Sequence, residues 1–201
     1  MDRDMTSAPW RFRFGRSSTL WFWLATLGLF AVTTVALRME GRRWWCSCGR
    51  LFLWAGDVHS RHNSQHLADP YTFTHVLHGI ALCGLFWLVA RRVSLRWRFW
   101  LATLVEALWE MVENSGPVIE RYRAATIAIG YQGDSVVNSL GDMLACAAGF
   151  VLASRIGWRA SVVVFIATEL VLLVWIRDDL LLNIIMLVYP SETIKAWQMG
   201  N

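Results

Sequence analysis

The stretch LWFWLATLGLFAVTTVAL, residues 20–37, decides the fold class because it has no charged residue and is bounded by Arg16 and Arg38. Roughly 20 apolar residues cross about 30 Å of hydrocarbon, so this stretch predicts a membrane-spanning helix. It begins too late to be the apolar part of a cleaved signal peptide, and no small-residue cleavage site precedes Arg38. The chain is therefore expected to be an integral membrane protein.

Four further apolar stretches follow, although three of them contain acids or histidines. They predict an all-α, polytopic transmembrane bundle in one membrane domain (1–201), with about five spans at residues 20–37, 74–90, 99–118, 135–153 and 160–176. A sixth stretch, 180–189, has only about half the length of a span and predicts an interfacial or re-entrant segment. Residues 38–72 form the one long loop, on the outer side of the bundle.

The composition agrees with a membrane protein and argues against a nucleic-acid-binding protein. Hydrophobic residues make up 56% of the chain and charged residues 17%, against about 25% charged in soluble domains. Many of the 13 tryptophans lie near the predicted helix ends, as in the aromatic belt of a membrane protein. The net charge of +4 comes without a basic patch interleaved with aromatics, so the expected partner is the lipid bilayer and not nucleic acid.

The distribution of arginine predicts the orientation. The short connection 91–98 (RRVSLRWR) has four arginines and no acid, which is typical of a cytoplasmic loop. With five spans, the arginine-rich N-terminal segment lies on the same side. Arginines in the 38–72 loop oppose this assignment. We expect a cytoplasmic N-terminus and a periplasmic C-terminus.

Histidines and carboxylates recur at helical spacing in the same half of the membrane. His75 and His78 share a face of the second span. The third span has a stripe of three glutamates, and the fourth opens with two aspartates and an asparagine four residues apart; these residues are Glu106, Glu110, Glu113, Asp134, Asn138 and Asp142. Glu169 lies at a similar depth in the fifth span. Since helix direction alternates, four helices bring these groups together whichever way the protein faces.

A charged side chain at the bilayer centre costs on the order of 3 kcal/mol, so the convergence requires protons, a cation or inward-reaching arginines. One hypothesis is a divalent-metal site that activates water against a lipid or lipid-linked envelope substrate. The candidate ligands are His75, His78, Glu110, Glu113, Asp134 and Asp142. The four carboxylates in this set are also the candidate catalytic groups. Glu106 and Asn138 would support these ligands, and an anionic headgroup would be held by Arg121, Arg123 and Arg177.

Two other hypotheses stay open. The same groups could form a proton or ion path in a coupled transporter. They could also be hydrogen-bonding contacts between the helices of a non-catalytic envelope accessory protein. No spacing in the sequence is a defined metal motif, and the P-loop, Gly-x-Ser-x-Gly and His-Glu-x-x-His motifs are absent.

Two smaller patterns have simpler interpretations. Small residues at every fourth position of the fourth span, Gly141, Ala145, Gly149 and Ala153, predict close helix packing. In the outer loop, Cys46 and Cys48 precede His59, His62 and His66. Packing or an ordered lid is the simpler hypothesis for these residues, and metal binding or a strained disulfide are the alternatives.

Several segments resemble a known family. WWCSCGR (44–50), NSQHLADPYTFTHVLHG (63–79), EALWEMVENS (106–115), ERYRAATIAIGYQGDSVVNSLGD (120–142) and IRDDLLLNIIMLVYP (176–190) are similar to an uncharacterised family of bacterial multi-pass inner-membrane proteins. The GD…N…GD stretch is also distantly similar to VanZ-like membrane proteins. These resemblances imply residence in the inner membrane and imply no activity.

Overall fold

The computed structural model describes residues 16–126 and 130–200. Within these ranges the chain forms seven helices and no strand: α1 (Arg16–Met39), α2 (Thr72–Val89), α3 (Leu95–Glu113), α4 (Gly116–Ala125), α5 (Val136–Ile176), α6 (Leu180–Val188) and α7 (Glu192–Gln198). The all-α prediction is confirmed. The arginines before residue 16 that supported the orientation lie outside the described residues.

Three of these helices, and not the predicted five, are long and apolar enough on their own to cross a membrane: α1, α2 and α5. The predicted third span differs because α3 contains charged residues along its length, including Arg98, Glu106 and Glu110. Those three side chains are buried, whereas Val105, Leu108 and Val112 are exposed. Helix α3 is therefore amphipathic, with its charged face turned toward the other helices.

The third span also ends earlier than the predicted residue 118. Helix α3 stops at Glu113, and α4 begins at Gly116 after the N-cap residue Ser115. Pro117 lies in the first turn of α4. Backbone N–H groups in a first turn have no acceptor within the helix, so the absence of an N–H in proline costs no helical hydrogen bond there. The Gly116–Pro117 pair therefore starts a new helix.

The predicted fourth and fifth spans belong to one element, α5, which bends sharply at Gly157 (φ 79°, ψ 168°). The Ser161 hydroxyl lies 3.5 Å from the carbonyl oxygen of Ala153, eight residues earlier, a separation that a straight helix would stretch to about 12 Å. At the far end, the ring of Trp175 lies 6.4 Å from that of Phe73 at the start of α2. The two arms of α5 therefore fold back on each other beside α2.

The approach of α2 to α5 depends on two glycines. A Cβ atom added to Gly79 would lie 2.0 Å from the carbonyl oxygen of Cys146, and one added to Gly149 would lie 2.1 Å from that of Val76. In the same way, a Cβ atom on Gly141 would meet the carbonyl oxygen of Leu67 at 2.0 Å. The close helix packing predicted for the small residues of the fourth span is confirmed at Gly149, whereas Gly141 packs against the loop between α1 and α2.

We expect Gly79→Ala and Gly149→Ala to destabilise the protein by about 1–3 kcal/mol, because the added methyl group must push two backbones apart. The measurement is thermal unfolding of the detergent-solubilised protein, in which both variants should unfold at a lower temperature. Gly84→Ala is the matched control, since a Cβ atom there meets nothing within 4 Å and alanine favours a helix. Equal effects at Gly79 and Gly84 would contradict the packing argument.

Candidate functional site

His75 lies at the centre of the polar cluster, between α3 and α5. Its Nδ1 atom is 2.5 Å from Glu106 Oε1 and 3.4 Å from Glu110 Oε1. Its other ring nitrogen, Nε2, lies 3.9 Å from Asp142 Oδ2. His78, one turn further along α2, places Nδ1 3.0 Å from the second oxygen of Glu106. The structure therefore contains a cluster of histidines and acids from the predicted second, third and fourth spans.

Glu106 differs in role from the other acids because it contacts both histidines. Each of its carboxylate oxygens lies within hydrogen-bond distance of a histidine Nδ1 atom. A carboxylate that accepts a hydrogen bond from one ring nitrogen fixes the imidazole orientation and leaves the other nitrogen free for a ligand. Glu106 therefore positions His75 and His78, in line with the supporting role expected for it.

The remaining acids have buried oxygens without hydrogen-bond donors. Among the described residues, no donor reaches either oxygen of Glu110, Oε2 of Glu113 or Oδ1 of Asp142. The Glu110 side chain is completely buried, and Asp142 is 3% exposed. A buried carboxylate oxygen without a donor is costly unless a proton or a cation compensates it. These atoms are therefore candidate ligands for a cation.

A cavity of about 270 Å³ opens beside this cluster, and we call it the acid cavity. Its polar wall includes His75, His78, Glu113, Asp134 and Asp142. Its opposite wall is apolar and comes from α3 and α6, through Trp109, Leu180, Ile184 and Leu187. The acid cavity thus combines charged and apolar surfaces in one space.

Three tyrosines that the sequence analysis did not single out donate hydrogen bonds to carboxylates in this wall. The hydroxyl of Tyr122 lies 3.0 Å from Glu113 Oε1, and that of Tyr131 lies 2.9 Å from Asp134 Oδ1. The third pair joins Tyr71 to Asp178 Oδ2 at 3.1 Å. The only sequence signal for them was their proximity to the acidic segments, which is too weak to assign a role.

Asp69 and Asp178 were also not predicted as site residues, although both are buried and line the acid cavity. Burial raises the pKa of Asp69 to about 6, against the effect of the Ser64 amide that donates to it. Burial likewise raises the pKa of Asp178 to about 7, against the hydrogen bond from Tyr71. Both carboxyl groups therefore take up protons close to neutral pH.

Asp134 and Asn138 lie in the cavity wall with their polar atoms already engaged. Asp134 accepts hydrogen bonds from Tyr131 and from the Asn114 side-chain amide at 3.1 Å. Burial is the main cause of the raised pKa of Asp134. The Asn138 side-chain amide points to Asp69 Oδ2 at 3.5 Å. Asp134 therefore needs a cation less than Glu110 does.

Glu169 lies elsewhere. Its two oxygens accept hydrogen bonds from the backbone N–H groups of Leu180 and Leu181, at 3.1 and 3.2 Å. These N–H groups belong to the first turn of α6 and have no carbonyl acceptor within that helix. Glu169 thus stabilises the start of α6, and it does not line the acid cavity.

Of the three arginines predicted to hold a headgroup, none lines the acid cavity. Arg121 donates to the carbonyl oxygen of Leu187 at 2.8 Å, and Arg177 donates to that of Trp197 at 3.2 Å. Both therefore tie helix ends together. Arg123 donates to the carbonyl oxygen of Tyr131 and lines a second, larger space.

This second space, the arginine cavity, has a volume of about 710 Å³. It is lined by four arginines, of which three come from the loop between α1 and α2: Arg42, Arg43, Arg61 and Arg123. Val58, Asn63, Tyr131 and Asp134 line both cavities, so the two spaces adjoin. The sequence analysis did not find this role, because it considered the loop arginines only as evidence on membrane orientation.

Two sets around His75 have the composition and spacing of a metal site. His75, His78 and Glu106 each offer a ligand atom within 4.8 Å of the others, and so do His75, Glu110 and Glu113. Metal–ligand distances for histidine and carboxylate are roughly 2.0–2.2 Å, so a cation fits between atoms at this separation. The second set fits better, because the oxygens of Glu110 have no other partner.

Comparison with known proteins gives a consistent result. A family model described as "Protein of unknown function (DUF2585)" matches residues 37–200. A UPF0314 protein of Sinorhizobium fredii is 47% identical over 186 residues, covering 92% of this chain and 94% of the relative.

Two further UPF0314 proteins agree with this. The one from Paracoccus denitrificans is 47% identical, covering 91% of this chain and 93% of its own length. The one from Sphingopyxis alaskensis is 44% identical, covering 89% of this chain and 95% of its own length. No solved structure matches. The chain therefore belongs to the DUF2585 (UPF0314) family of bacterial proteins of unknown function.

Proposed function

We propose that the acid cavity binds a divalent cation and that the protein is a metal-assisted hydrolase or transferase acting on an anionic, lipid-linked substrate. One observation supports this above all: His75 lies against Glu110, whose buried oxygens have no hydrogen-bond donor among the described residues. A buried ionised carboxylate without a donor needs a counter-charge. A cation shared with Glu113 supplies one.

The proposed ligand set is His75, Glu110 and Glu113, with Asp142 completing it on the α5 side. Asp142 Oδ2 is 3.9 Å from His75 Nε2, too far for a hydrogen bond but close enough for both to contact one ion. Three or four protein ligands of this type leave a coordination position for water. His78 and Asp134 stay candidates for contacts to the substrate, since both line the cavity.

The chemistry follows from this arrangement. A divalent cation lowers the pKa of a bound water toward neutrality and so makes it a nucleophile. Asp142 Oδ1, buried and without a donor, can accept the proton that this water loses. The hydroxide would then add to a phosphorus or carbonyl centre, and His78 would protonate the oxygen that leaves.

The two adjoining cavities support an amphipathic substrate. The arginine cavity presents Arg43, Arg61 and Arg123, which suit a phosphate or pyrophosphate group. The apolar wall of the acid cavity, formed by Leu180, Ile184 and Leu187, suits a hydrocarbon chain. A substrate with its anionic group on the arginine side would place the adjacent bond beside Asp134, which both cavities share.

The membrane arrangement is part of the same proposal. The exposed apolar face of α3 and the antiparallel arms of α5 support a bundle in which α3 and both arms lie within the inner membrane. The arginine-rich connection 91–98 supports a cytoplasmic N-terminus and a periplasmic C-terminus. Both cavities would then face the periplasm, where envelope lipids are exposed. The resemblance to VanZ-like proteins remains a prediction.

The region between Glu106 and Arg98 supports an enzyme over a transporter. A proton path would have to continue from Glu106 toward Arg98, the arginine-rich end of α3. That interval is filled by the buried side chains of Ala102, Thr103 and Phe150, and the Thr103 hydroxyl donates to its own helix at Phe99. The acid cavity is lined by His75 and His78 and by no residue of α3 before Trp109, and a cavity of this extent suits a bound substrate.

The first test is metal binding by the purified protein. We expect wild-type protein to bind one equivalent of Mn²⁺ in the bundle, and Glu110→Gln to lose it, because the amide removes the charge while conserving shape. Calorimetric titration with Mn²⁺ measures the difference. Glu120→Gln is the matched control, since Glu120 is exposed on α4. Unchanged binding in Glu110→Gln would eliminate this metal site.

The second test concerns the anionic group. We expect a long-chain alkyl phosphate in mixed micelles to bind the wild-type protein more tightly than the matching alcohol. Arg61→Gln and Arg123→Gln should each reduce that preference by about tenfold, which corresponds to a charge-assisted hydrogen bond of roughly 1.4 kcal/mol.

Arg159→Gln is the control for this test, because Arg159 is exposed on α5 and lines neither cavity. Fluorescence competition gives the affinities at fixed ionic strength. Equal binding of phosphate and alcohol would contradict the assigned substrate class.

A further inference from the structure

The loop between α1 and α2 brings four metal-binding side chains together at a place separate from the acid cavity. Cys46, Cys48, His62 and His66 each offer one ligand atom, and these atoms all lie within 4.8 Å of one another. The sequence analysis preferred packing or a lid for this segment. The structure adds that two thiols and two imidazoles converge there.

The measured separations are those of a tetrahedral site. Cys46 Sγ lies 3.4 Å from His62 Nδ1, and His62 Nδ1 lies 3.1 Å from His66 Nε2. Zinc bonds of about 2.3 Å to sulfur and about 2.0–2.1 Å to nitrogen place ligand atoms roughly 3.5 Å (S to N) and roughly 3.3 Å (N to N) apart in a tetrahedron. The observed atoms therefore need little movement.

Two of the four ligands are buried, whereas Cys48 and His62 are partly exposed. Cys46 is 2% exposed and His66 is 1% exposed. The Phe52 ring packs on the His66 ring with centroids 4.7 Å apart. All four cysteines of the chain are free thiols, and a Cys-x-Cys disulfide would be strained. Thiolates with imidazoles form a soft donor set that selects zinc.

We infer that Cys46, Cys48, His62 and His66 bind a structural zinc ion. Four protein ligands close the coordination sphere, which is typical of structural and not catalytic zinc. The His62-x₃-His66 spacing falls within the usual range for such sites, and Cys46-x-Cys48 is one residue shorter than usual. This inference is independent of the proposed catalytic metal, because the two ligand sets share no residue.

His66 is the weakest of the four ligands. The Phe52 N–H donates to His66 Nδ1 at 3.1 Å, so in this arrangement the ring hydrogen is on Nε2, facing His62. A neutral imidazole that binds zinc through Nε2 has its hydrogen on Nδ1, and Nδ1 can then no longer accept a hydrogen bond from the Phe52 N–H. The two cysteine ligands have weaker contacts with the backbone: the Cys48 N–H lies 3.4 Å from Cys46 Sγ, and Cys48 Sγ lies 3.6 Å from the carbonyl oxygen of Arg50.

The metal would fix the wall of the acid cavity. Ser64, between the two histidines, and Asn63 both line that cavity. The Ser64 carbonyl accepts a hydrogen bond from the Ser135 N–H at the start of α5, at 2.9 Å. Zinc would join residues 46–48 to residues 62–66, and so would hold this part of the loop against α5.

The test uses the full-length protein in detergent, with zinc measured by elemental analysis and the site observed after cobalt substitution. We expect one zinc per chain and, with cobalt, a thiolate-to-metal charge-transfer band. The double variant Cys46→Ser/Cys48→Ser should lose both. Cys83→Ser, which alters a half-buried thiol in α2, and His75→Ala should keep both, which separates this site from the bundle site.

His66→Ala should keep the charge-transfer band with a weaker affinity for cobalt. A wild-type protein without stoichiometric zinc after purification under reducing conditions would overturn the inference, and so would a double variant that retains zinc. If the double variant does not fold, the cobalt spectrum of the wild type decides. The absence of a thiolate band would then overturn the assignment.

Discussion

Helices α2 and α5 touch through their backbones at Gly79 and Gly149, and the positions of the polar groups follow from that contact. A Cβ atom at either position would lie 2.0 or 2.1 Å from a carbonyl oxygen of the other helix. Any residue larger than glycine would therefore force the two helices apart. His75 would then move away from Asp142, at present 3.9 Å from it. The site is thus a consequence of a small-residue interface.

The acids of the bundle are grouped in its interior, away from its apolar surface. The apolar surface of α1, α2 and α5 faces outward, whereas Glu106, Glu110 and Asp142 are buried among helices. Inside this low-dielectric space the interaction between charges is strong and water cannot compensate them. The neutralising groups must come from the protein or be bound by it. His75 alone, placed among three carboxylates, provides at most one positive charge.

The sequence predicted what depends on local pattern. Helical spacing located His75, the α3 glutamates and Asp142 on faces that do meet, and the every-fourth small residues predicted the close packing. It overestimated the number of independent spans, because hydropathy does not distinguish the inward charged face of α3 from a lipid-facing one. It did predict a reversal of the chain between residues 153 and 160, which is where α5 bends at Gly157.

Some of the contacts that were missed join residues far apart in the sequence. Tyr71 reaches Asp178 across 107 positions and Gln65 reaches Gly133 across 68, and no spacing rule connects such pairs. Arg121 and Arg177 were assigned to a headgroup because they lay on the expected side. Their guanidinium groups instead donate to carbonyl oxygens at helix ends, which have no partners within their own helix. Local patterns find which face is polar, but they do not find what a side chain contacts.

The loop and the bundle depend on each other at Ser64. This residue has a positive φ of 58°, a conformation that costs a non-glycine residue about 1–2 kcal/mol. Its N–H donates to Asp69 at 2.8 Å, and its carbonyl oxygen accepts from Ser135 at 2.9 Å. Two hydrogen bonds of about 1 kcal/mol each only just offset the strain. A zinc ion bound to His62 and His66, on either side of Ser64 in the sequence, would add a constraint that holds this segment of the loop against α5.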